Sequence, residues 1–435
     1  MSARERLIAM FRRYLMFARW LSACLVGACL ASFSAPAAAE PVQPWAQRIM
    51  LVVAHQDDDM MVTVPDLVGA VRERRTLRTV YVTSGDAGFT CNAYTQGREA
   101  GVKAEQAHLA GVPNVWRDEE RVVRGKRVRF SYLEGTNQSM AFIGLPNPAL
   151  FSTNPPEGAL QKLWLGQINQ VSTLPYDGRS GVDSYSREEL IEVLRALMAE
   201  FEPEDVRVLD ASQLQIPIYP FEHVDHMGSA MFATAAFTRY ARADALTFYP
   251  LYSIQFLPAN MPPEVVAKRR ELTDVYRPHD AKICSTLFTT ICGVLTNCDA
   301  IAIYEPFWQR NYPTDTLRGS NVQVRAPSGL CLEAISATEV RLVACNAQRS
   351  AQRWSLERGG VVRSSGNGRC LNVSSSARGQ VVGLAACQRG FNQQFYVTTQ
   401  NQLRGPDATC VREDWARGVL DECAPNLFQR NWLIQ

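Results

Sequence analysis

The last quarter of the chain contains an internal repeat of about forty residues. A cysteine opens each unit within residues 329–333, 368–372 and 408–412, and a second cysteine follows after 14, 17 and 13 residues. The units end on glutamine and an aromatic residue: Gln352-Arg353-Trp354, Gln393-Gln394-Phe395 and Gln429-Arg430-Asn431-Trp432. Three units of similar length can close into a threefold β structure in which the aromatic side chains share one core. The repeat therefore predicts an all-β domain at this end of the chain.

The length of the chain requires more than this one domain. The chain has 435 residues, and 396 remain when the first 39 are set aside as an export signal, which is too many for one ordinary core. A hydrophobic fraction of 46% and a charged fraction of 20% exclude disordered, collagen-like and fibrous chains. A formal net charge of +2 provides no field that would attract nucleic acid, so no nucleic-acid partner is predicted.

The first 39 residues have the pattern of a signal peptide. Basic residues precede an apolar run at 20–33, and three alanines follow at 37–39. The run is short for a membrane span, so an uncleaved anchor is the less favoured alternative and no stable span is predicted in the mature protein. We therefore predict a secreted or periplasmic protein, in a compartment where disulfides persist. Four further cysteines are available for two more bridges, in a pairing that the sequence leaves open: Cys91, Cys284, Cys292 and Cys298.

Between residues 47 and 259, apolar runs of strand length alternate with helical patterns. The predicted strands are 49–54, 78–83 and 206–210, and the predicted helices are 66–73, 97–111, 226–243 and a segment that follows a capping box of Ser186 and Glu189. Alternation of this kind implies βαβ units, and so an α/β domain with a mostly parallel sheet. The segments 122–156 and 258–312 are expected to be less regular.

Two short clusters contain three of the five histidines of the chain. They are residues 55–59 (His-Gln-Asp-Asp-Asp) and 222–226 (Glu-His-Val-Asp-His), and each follows a predicted strand. Because open parallel sheets bind ligands at the carboxyl ends of their strands, we expect a site here. If a helical turn begins at His55, then His55 and Asp58 share a face, and with His226 they would form a two-histidine, one-carboxylate metal site. An aspartate run after a strand is also a common helix N-cap, which is the structural alternative.

At these residues the chain resembles the LmbE-like (PIG-L) N-acetylglucosaminyl deacetylase family, whose paired motifs are A-H-P-D-D-E and H-x-D-H. Residues 83–88 are similar to the T-x-G-D-A-G loop of that family, and the similarity extends over residues 47–260. The family implies a Rossmann-like fold, with helices on both faces of the sheet, and zinc-dependent hydrolysis of an N-acetyl group from an amino sugar. Gln56 replaces the proline of the motif and Asp59 replaces its glutamate, at positions that hold neither a ligand nor the base.

The resemblance also implies roles for individual side chains. The predicted zinc ligands are His55, Asp58 and His226. Asp57 would be the general base that accepts a proton from water. His223, kept protonated by Asp225, would serve the oxyanion and the leaving amine. Asp86 and Arg98 are candidates for contacts with sugar hydroxyls, with helix capping and a surface ion pair as the structural alternative.

Residues 320–435 resemble the ricin-type lectin family, because of their Q-x-W repeats and the cysteine pair in each unit. That family implies a β-trefoil that binds sugars in up to three shallow pockets, one per repeat. At the positions of its sugar-binding carboxylate this chain has Glu333, Asn372 and Arg412. The middle repeat is predicted to be best equipped for sugar, with Asn372, Asn392 and Gln393. The aromatic residues that end the units are expected to hold the trefoil together.

Three segments follow from these patterns: a signal peptide at 1–39, an LmbE-like deacetylase domain at 40–315 and a β-trefoil lectin domain at 320–435. The predicted function is exported, zinc-dependent removal of N-acetyl groups from N-acetylglucosamine-type sugars of a glycan or glycoconjugate, with carbohydrate as the partner. Two alternatives stay open. One is a glycan-binding protein with an inactive hydrolase fold, motivated by Gln56 and Asp59, and the other is an amidase that acts on a longer acyl chain or a non-sugar amide.

Overall fold

The computed structural model describes most of the chain beyond residue 46. The described residues are 47–89, 91–147, 158–175, 180–210, 222–240, 242, 245–283, 288–298, 304–357, 360–388, 391–398, 401–406, 409–422 and 432–434. They belong to one unit, residues 41–435. The predicted signal peptide, Cys284, Cys423 and residues 429–431 of the last repeat lie outside the described residues.

An eight-stranded mixed sheet forms the first part of the fold. The strands of this part are β1 (Arg48–Val53), β2 (Thr76–Thr83), β3 (Trp116–Val123), β4 (Lys126–Leu133), β5 (Gln138–Leu145), β6 (Val171–Ser172), β7 (Ser184–Tyr185), β8 (Asp205–Leu209), β9 (Ala245–Tyr249), β10 (Phe288–Ile291), β11 (Val294–Asn297) and β12 (Thr314–Asp315). The order in the sheet is β12-β9-β8-β1-β2-β5-β4-β3, and the strands from β9 to β5 are parallel. The predicted α/β class with a mostly parallel sheet is confirmed.

Helices cover both faces of this sheet. They are α1 (Asp58–Val62), α2 (Val64–Arg72), α3 (Asn92–Ala110), α4 (Ala159–Trp164), α5 (Arg187–Phe201), α6 (Val224–Tyr240), α7 (Pro263–Tyr276) and α8 (Glu305–Trp308). Met50 and Val52 of β1 pack with α5 and α6, whereas Ile49 and Leu51 pack with α2 on the other face. Burial on both faces explains the continuous apolar sequence of β1. None of the described helices is long and apolar enough to cross a membrane.

Two helices begin at or near their predicted starts. The hydroxyl of Ser186 accepts a hydrogen bond from the N–H of Glu189, whose carboxylate accepts one from the N–H of Ser186, so the predicted capping box of α5 is confirmed. Helix α6 begins at Val224, two residues before its predicted start, and all its residues except Arg239 are buried. The second histidine cluster therefore lies at the start of a helix that the rest of the fold encloses.

The two segments that we expected to be less regular contain secondary structure. Strands β3, β4 and β5 form a meander within and before residues 122–156. Strand β3 is an edge of the sheet with the sequence Trp-Arg-Asp-Glu-Glu-Arg-Val-Val, and its exposed charges hide the apolar alternation that marks a strand. Residues 258–312 contain α7, which buries just two large apolar side chains, Leu272 and Tyr276, and so has a weak helical pattern.

Three small antiparallel sheets form the second part of the fold. Their strands are β13 (Gly319–Val322), β14 (Val324–Arg325), β15 (Cys331–Ala334), β16 (Val340–Val343), β17 (Trp354–Glu357), β18 (Val361–Ser364), β19 (Cys370–Asn372), β20 (Gly383–Ala385), β21 (Tyr396–Val397), β22 (Leu403–Arg404), β23 (Thr409–Asp414), β24 (Arg417–Glu422) and β25 (Leu433–Ile434). The three sheets share one core, which contains the fully buried Trp354, Phe395 and Trp432. The predicted β-trefoil class is confirmed.

The first and third units of the trefoil share a tryptophan contact. The indole N–H of Trp354 donates to Leu332 O at 2.9 Å, and that of Trp432 donates to Val411 O at 3.0 Å. The disulfides among the described residues are Cys331–Cys345 and Cys370–Cys387, each within one unit, and Cys91–Cys292, which joins the start of α3 to the β10–β11 hairpin. Two more cysteines are also disulfide-bonded, Cys298 and Cys410.

Candidate active site

The two clusters of histidine and aspartate meet at one end of the eight-stranded sheet. The first cluster directly follows β1, and the second lies at the start of α6, which packs against β1 and the adjacent β8. Five of the six predicted side chains are buried, and Asp57 is 14% exposed. The structure thus brings together residues that are about 170 positions apart in the sequence, as the strand-end argument predicts.

Asp58 organises the turn between β1 and α1. Its Oδ2 accepts hydrogen bonds from the N–H groups of Ala54 at 2.9 Å and His55 at 2.7 Å. Helix α1 begins at Asp58, three residues later than the predicted turn, yet His55 Nδ1 still lies 3.5 Å from Asp58 Oδ1. Burial opposes ionisation of Asp58, but His226 and His55 outweigh it and hold the pKa of this carboxyl well below its ordinary value.

Three side-chain atoms form a tight triangle. His55 Nδ1 lies 3.1 Å from His226 Nε2, and Asp58 Oδ1 lies 3.1 Å from His226 Nε2 and 3.5 Å from His55 Nδ1. Atoms bound to a tetrahedral zinc ion at about 2.0–2.1 Å are separated by roughly 3.3 Å. Wider sets that include His223 or Asp57 offer atoms within 4.8 Å of one another. The triangle of two imidazole nitrogens and one carboxylate oxygen matches the zinc spacing, and we call it the ligand triangle.

The ring of His226 is oriented by a residue to which we assigned no role from the sequence. Glu222 Oε1 accepts a hydrogen bond from His226 Nδ1 at 2.6 Å. Glu222 Oε2 in turn accepts from the backbone N–H groups of Leu251 at 3.2 Å and Tyr252 at 2.9 Å, just after β9. A carboxylate behind a metal-binding histidine fixes the tautomer that leaves the other nitrogen free as a ligand. The sequence signal for this pair is an acidic residue four positions before the histidine.

Asp57 lies beside the ligand triangle and is held by Arg98. Arg98 Nη2 donates to Asp57 Oδ1 at 2.5 Å, and the same guanidinium donates to Gly85 O at 3.0 Å and to the Tyr276 hydroxyl at 2.8 Å. Arg98 Nε also lies 3.0 Å from Asp280 Oδ2. Burial raises the pKa of Asp57, and the charge of Arg98 partly offsets that rise. Arg98 is therefore engaged with protein groups, and its predicted contact with a sugar stays a prediction.

His223 differs from the expectation of a protonated ring held by a carboxylate. Its Nδ1 accepts a hydrogen bond from the backbone N–H of Asp225 at 3.1 Å, which assigns the ring proton of the neutral form to Nε2. The distance from Nδ1 to Asp225 Oδ2 is 4.0 Å, too long for a hydrogen bond. Burial and the neighbouring His55 and His226 hold the pKa of His223 well below its ordinary value.

The carboxylate of Asp225 faces the other nitrogen of His55 instead. Asp225 Oδ2 lies 3.6 Å from His55 Nε2 and accepts a hydrogen bond from Asn147 Nδ2 at 3.0 Å. Asp225 Oδ1 is buried and has no hydrogen-bond partner among the described residues. A buried carboxylate oxygen without a partner is a ready acceptor for an N–H group of a ligand. Asn147, two residues after β5, belongs to the site although no sequence motif marks it.

Asp86 orders the loop that follows β2. Its carboxylate accepts hydrogen bonds from the Ser84 hydroxyl at 3.0 Å, from the N–H of Gly88 at 3.2 Å and from the N–H of Asn147 at 2.7 Å. Burial raises the pKa of Asp86 to about 6 despite these bonds. The loop is thereby fixed to the strand end that carries Asn147, and the predicted contact of Asp86 with a sugar stays a prediction.

Gln56 and Asp59, which differ from the family motif, point their side chains into the protein interior. Gln56 Nε2 donates to Thr83 O at 3.1 Å. Asp59 accepts hydrogen bonds from the Tyr81 hydroxyl and from Gln106 Nε2, both at 2.9 Å, and burial raises its pKa to about 7. These contacts anchor the first cluster to β2 and α3, and neither side chain belongs to the ligand triangle.

In the trefoil, the predicted sugar-binding amides form a network. Asn372 Oδ1 accepts hydrogen bonds from Asn392 Nδ2 at 2.8 Å and Gln393 Nε2 at 3.4 Å. Gln393 also donates to Ala386 O at 2.8 Å and accepts from the N–H of Gln388 at 2.7 Å. The network gives the middle repeat a fixed cluster of amides, and its role in binding sugar stays a prediction.

The matching positions of the other two repeats carry ion pairs. Glu333 lies 3.1 Å from Arg349 and accepts a hydrogen bond from Gln352 Nε2 at 2.6 Å. Arg412 lies 3.0 Å from Asp421. The three repeats therefore share a fold but present different chemistry at the same position.

Comparison with known proteins identifies the same two parts of the chain. Residues 50–237 match the family model of the GlcNAc-PI de-N-acetylases (PIG-L). Residues 320–427 match that of the ricin-type beta-trefoil lectin domain. Among curated proteins, none matches the chain.

Solved structures resemble each part separately. The N,N'-diacetylchitobiose deacetylase from Pyrococcus horikoshii, in complex with its inhibitor, is 13% identical with a TM-score of 0.32, over 54% of this chain and 71% of that one. A conserved protein from Thermus thermophilus is 17% identical with a TM-score of 0.29, over 53% and 78%. A non-toxic homologue of type II RIPs from Momordica charantia, bound to alpha-methyl-D-galactoside, is 21% identical with a TM-score of 0.24, over 27% and 48%. The chain thus spans about half the length of this lectin.

Both resemblances that we drew from the motifs agree with the family matches. The first match includes the two histidine clusters, and the second includes all three units of the cysteine repeat up to residue 427. The chain therefore combines a domain of the GlcNAc-PI de-N-acetylase (PIG-L) family with a ricin-type β-trefoil lectin domain.

Proposed function

We propose that the protein is a zinc-dependent hydrolase that removes N-acetyl groups from N-acetylglucosamine-type sugars of a glycan or glycoconjugate. The observation that carries this proposal is the ligand triangle of His55, Asp58 and His226, with the carboxylate of Asp57 beside it. This donor set suits zinc, and the family match favours an acetylated amino sugar as the substrate.

The site residues would divide the work of amide hydrolysis. Zinc in the ligand triangle would lower the pKa of a bound water and polarise the acetamide carbonyl. Asp57, partly exposed and outside the triangle, would accept a proton, while Arg98 holds its carboxylate in place. His223 has its Nδ1 engaged, so its Nε2–H would be the donor to the negative charge on the carbonyl oxygen. The proton that Asp57 accepts from water would pass to the leaving nitrogen as the C–N bond breaks, and Asp225 Oδ1 would accept a hydrogen bond from the N–H of this amine.

The trefoil would bind carbohydrate and keep a polymeric substrate near the active site. The amide network of Asn372, Asn392 and Gln393 is the proposed position of sugar in the middle repeat. We further propose a secreted or periplasmic location, with residues 1–39 removed as a signal peptide, and domains at 40–315 and 320–435. The disulfides support an oxidising compartment.

Acetate release from chito-oligosaccharides by the zinc-loaded full chain tests the proposed reaction. We expect Asp57→Asn to retain zinc and to release acetate at least about 100-fold more slowly, because the proton acceptor is lost. Asp274→Asn changes an exposed aspartate of α7 that pairs with Arg277, and it should match the wild type. No acetate from any N-acetylhexosamine glycan, or equal rates for Asp57→Asn and wild type, would contradict the proposal.

Two other results would favour the alternative functions. Zinc well below one ion per chain, with intact glycan binding, would favour a lectin with an inactive hydrolase fold. The departures at Gln56 and Asp59 give little reason for such a loss, since both side chains bond to the interior. Faster release of a long acyl group than of acetate would favour an amidase of different acyl specificity.

A further inference from the structure

A buried arginine of the trefoil pairs with the carboxyl end of a sheet strand. Arg404, on β22, lies with its Nη2 3.1 Å from Oδ1 of Asp210, the residue directly after β8. The two side chains are 2% and 1% exposed. The guanidinium also lies 3.9 Å from the ring centroid of Phe248 on β9, and its Nε donates to Gln402 Oε1. A buried ion pair adds little net stability, so its main effect is to fix the position of the groups that it joins.

Two more side chains of the trefoil contact the same region. The ring of Tyr396 stacks on Phe248 with centroids 6.1 Å apart, and Tyr396 is buried within the core of the α/β part. The side-chain amide of Gln394 donates to Thr238 O in the last turn of α6. The trefoil therefore contacts strand β9 and helix α6 at the same time.

These two elements also position His226. The N–H of Asp210 donates to Tyr249 O, at the end of β9, at 2.9 Å. Two backbone N–H groups just beyond Tyr249 donate to the carboxylate of Glu222, which accepts the hydrogen bond from His226 Nδ1. Helix α6 carries His226 in its first turn and Thr238 in its last. A shift of β9 or α6 would therefore change the distance between Glu222 and His226.

We propose that Arg404 is a positioning residue for the active site. Through Asp210 and Phe248 it fixes the end of β9. The end of β9 in turn holds Glu222, which orients the ring of His226 in the ligand triangle. The trefoil is then part of the metal-binding architecture as well as a carbohydrate-binding domain. This inference rests on the metal site of the proposed function and is independent of the substrate.

The zinc dissociation constant of the full chain, measured by competition with a chelator, tests the inference. Arg404→Met should raise it about tenfold, the low end of the loss seen when a partner behind a metal ligand is removed. Arg404→Lys keeps the charge and should recover most of the affinity. Arg341→Met removes a half-exposed arginine of the trefoil that pairs with Glu339, and it should bind zinc as the wild type does.

Arg404→Met alone leaves the buried carboxylate of Asp210 without its cation, and this can destabilise the fold. A second variant therefore separates a positioning role of Arg404 from a role in folding. Arg404→Met/Asp210→Leu replaces the pair by apolar side chains, a change that often preserves stability, and should show the same loss of zinc affinity. The Nδ1–H proton resonance of His226 in the metal-free chain gives a readout that needs no zinc. We expect it at low field in the wild type, because of the bond to Glu222, and broadened in the double variant.

Wild-type zinc affinity together with an unchanged His226 resonance in the double variant would overturn the inference. A drop in melting temperature with neither of these changes would also overturn it, since that result shows a purely structural pair. Absence of acetate release from the wild type, with zinc affinity still dependent on Arg404, would instead overturn the proposed deacetylation and support the role of Arg404.

Discussion

At the scale of single residues, a glycine keeps the proposed base in place. Gly85 has φ of +61°, and a Cβ there would lie 2.0 Å from Gln56 Oε1 and 2.8 Å from Arg98 Nη1. Both side chains are buried, and Arg98 is the hydrogen-bond donor to Asp57. The loop after β2 therefore passes so close to the first cluster that only glycine fits at residue 85.

Gly85→Ala should displace Arg98 and so disturb Asp57. We expect acetate release to fall at least about tenfold with zinc retained, because Asp57, the proposed general base, loses its orientation. Gly111→Ala is the matched control: its φ is +66°, with nothing within 4 Å of the added Cβ. It should cost about 1 kcal/mol of stability through backbone strain alone. Equal effects of the two variants on activity would contradict the assigned role of Gly85.

Asp86 should make stability depend on pH. Burial raises its pKa to about 6, above its ordinary value of 3.8. Between these values the folded state keeps a proton that the unfolded chain has released, so stability falls as pH rises from about 4 to 6 and then levels off. Asp86→Asn removes this decrease, which amounts to at most roughly 3 kcal/mol. Unfolding free energies of both proteins from pH 4 to 7 measure it, and parallel curves would contradict it.

The sequence predicts the proposed ligands better than it predicts the residues that support them. His55, Asp58 and His226 belong to motifs of fixed spacing at strand ends, so their convergence is predictable. Glu222 and Asn147 act through hydrogen bonds whose partners lie 29 and 78 residues away, and no local pattern marks such pairs. The pKa of a buried group such as His223 likewise depends on neighbours that are distant in the sequence.

At the scale of elements, helix α3 connects the active site to a distant hairpin. Its N-cap residue, Cys91, forms a disulfide with Cys292 at the β10–β11 hairpin, 201 residues away. Arg98 lies on the same helix, two turns further on. The disulfide thus fixes the helix that presents Arg98 to Asp57.

Removing this disulfide should cost more stability than removing one within the trefoil. Chain entropy predicts roughly 5 kcal/mol for Cys91→Ser/Cys292→Ser and roughly 3 kcal/mol for Cys331→Ser/Cys345→Ser, since the second closes a loop of 14 residues. Denaturant unfolding of the two double variants gives the comparison. A larger loss for the short loop would contradict the entropic argument.

Elements are predictable where their sequence reflects burial. The apolar run of β1 and the capping box of α5 each identify an element without knowledge of its neighbours. Strand β3 is stabilised by pairing with β4 over its whole length, and its outward charges carry no strand signal. The sequence therefore does not predict the hairpin of β3 and β4.

At the scale of the whole molecule, the two parts share a core. Tyr396 of the trefoil is buried among side chains of the α/β part, and β12, which leads into the trefoil, pairs with β9. The sequence marks Tyr396 and Arg404 only as ordinary residues of β strands, because the packing of two domains leaves no periodic pattern. Their contacts could not be predicted from the repeat.

The full chain should unfold in one cooperative transition. Loss of either part would expose Tyr396 and Phe248 and separate Asp210 from Arg404, so neither part is expected to melt independently. Differential scanning calorimetry of the disulfide-intact protein measures the number of transitions. Two well-separated transitions, each with its own calorimetric enthalpy, would contradict this expectation.

The charged edge strand has a consequence for the protein at high concentration. Strand β3 exposes Arg117, Asp118 and Glu120 along the outer edge of the sheet, and charges of both signs disfavour the addition of a foreign strand. The opposite edge is continued by the trefoil, where Thr316 bridges to Thr398. Both edges are thereby protected from intermolecular β pairing, which disfavours aggregation when the protein is concentrated.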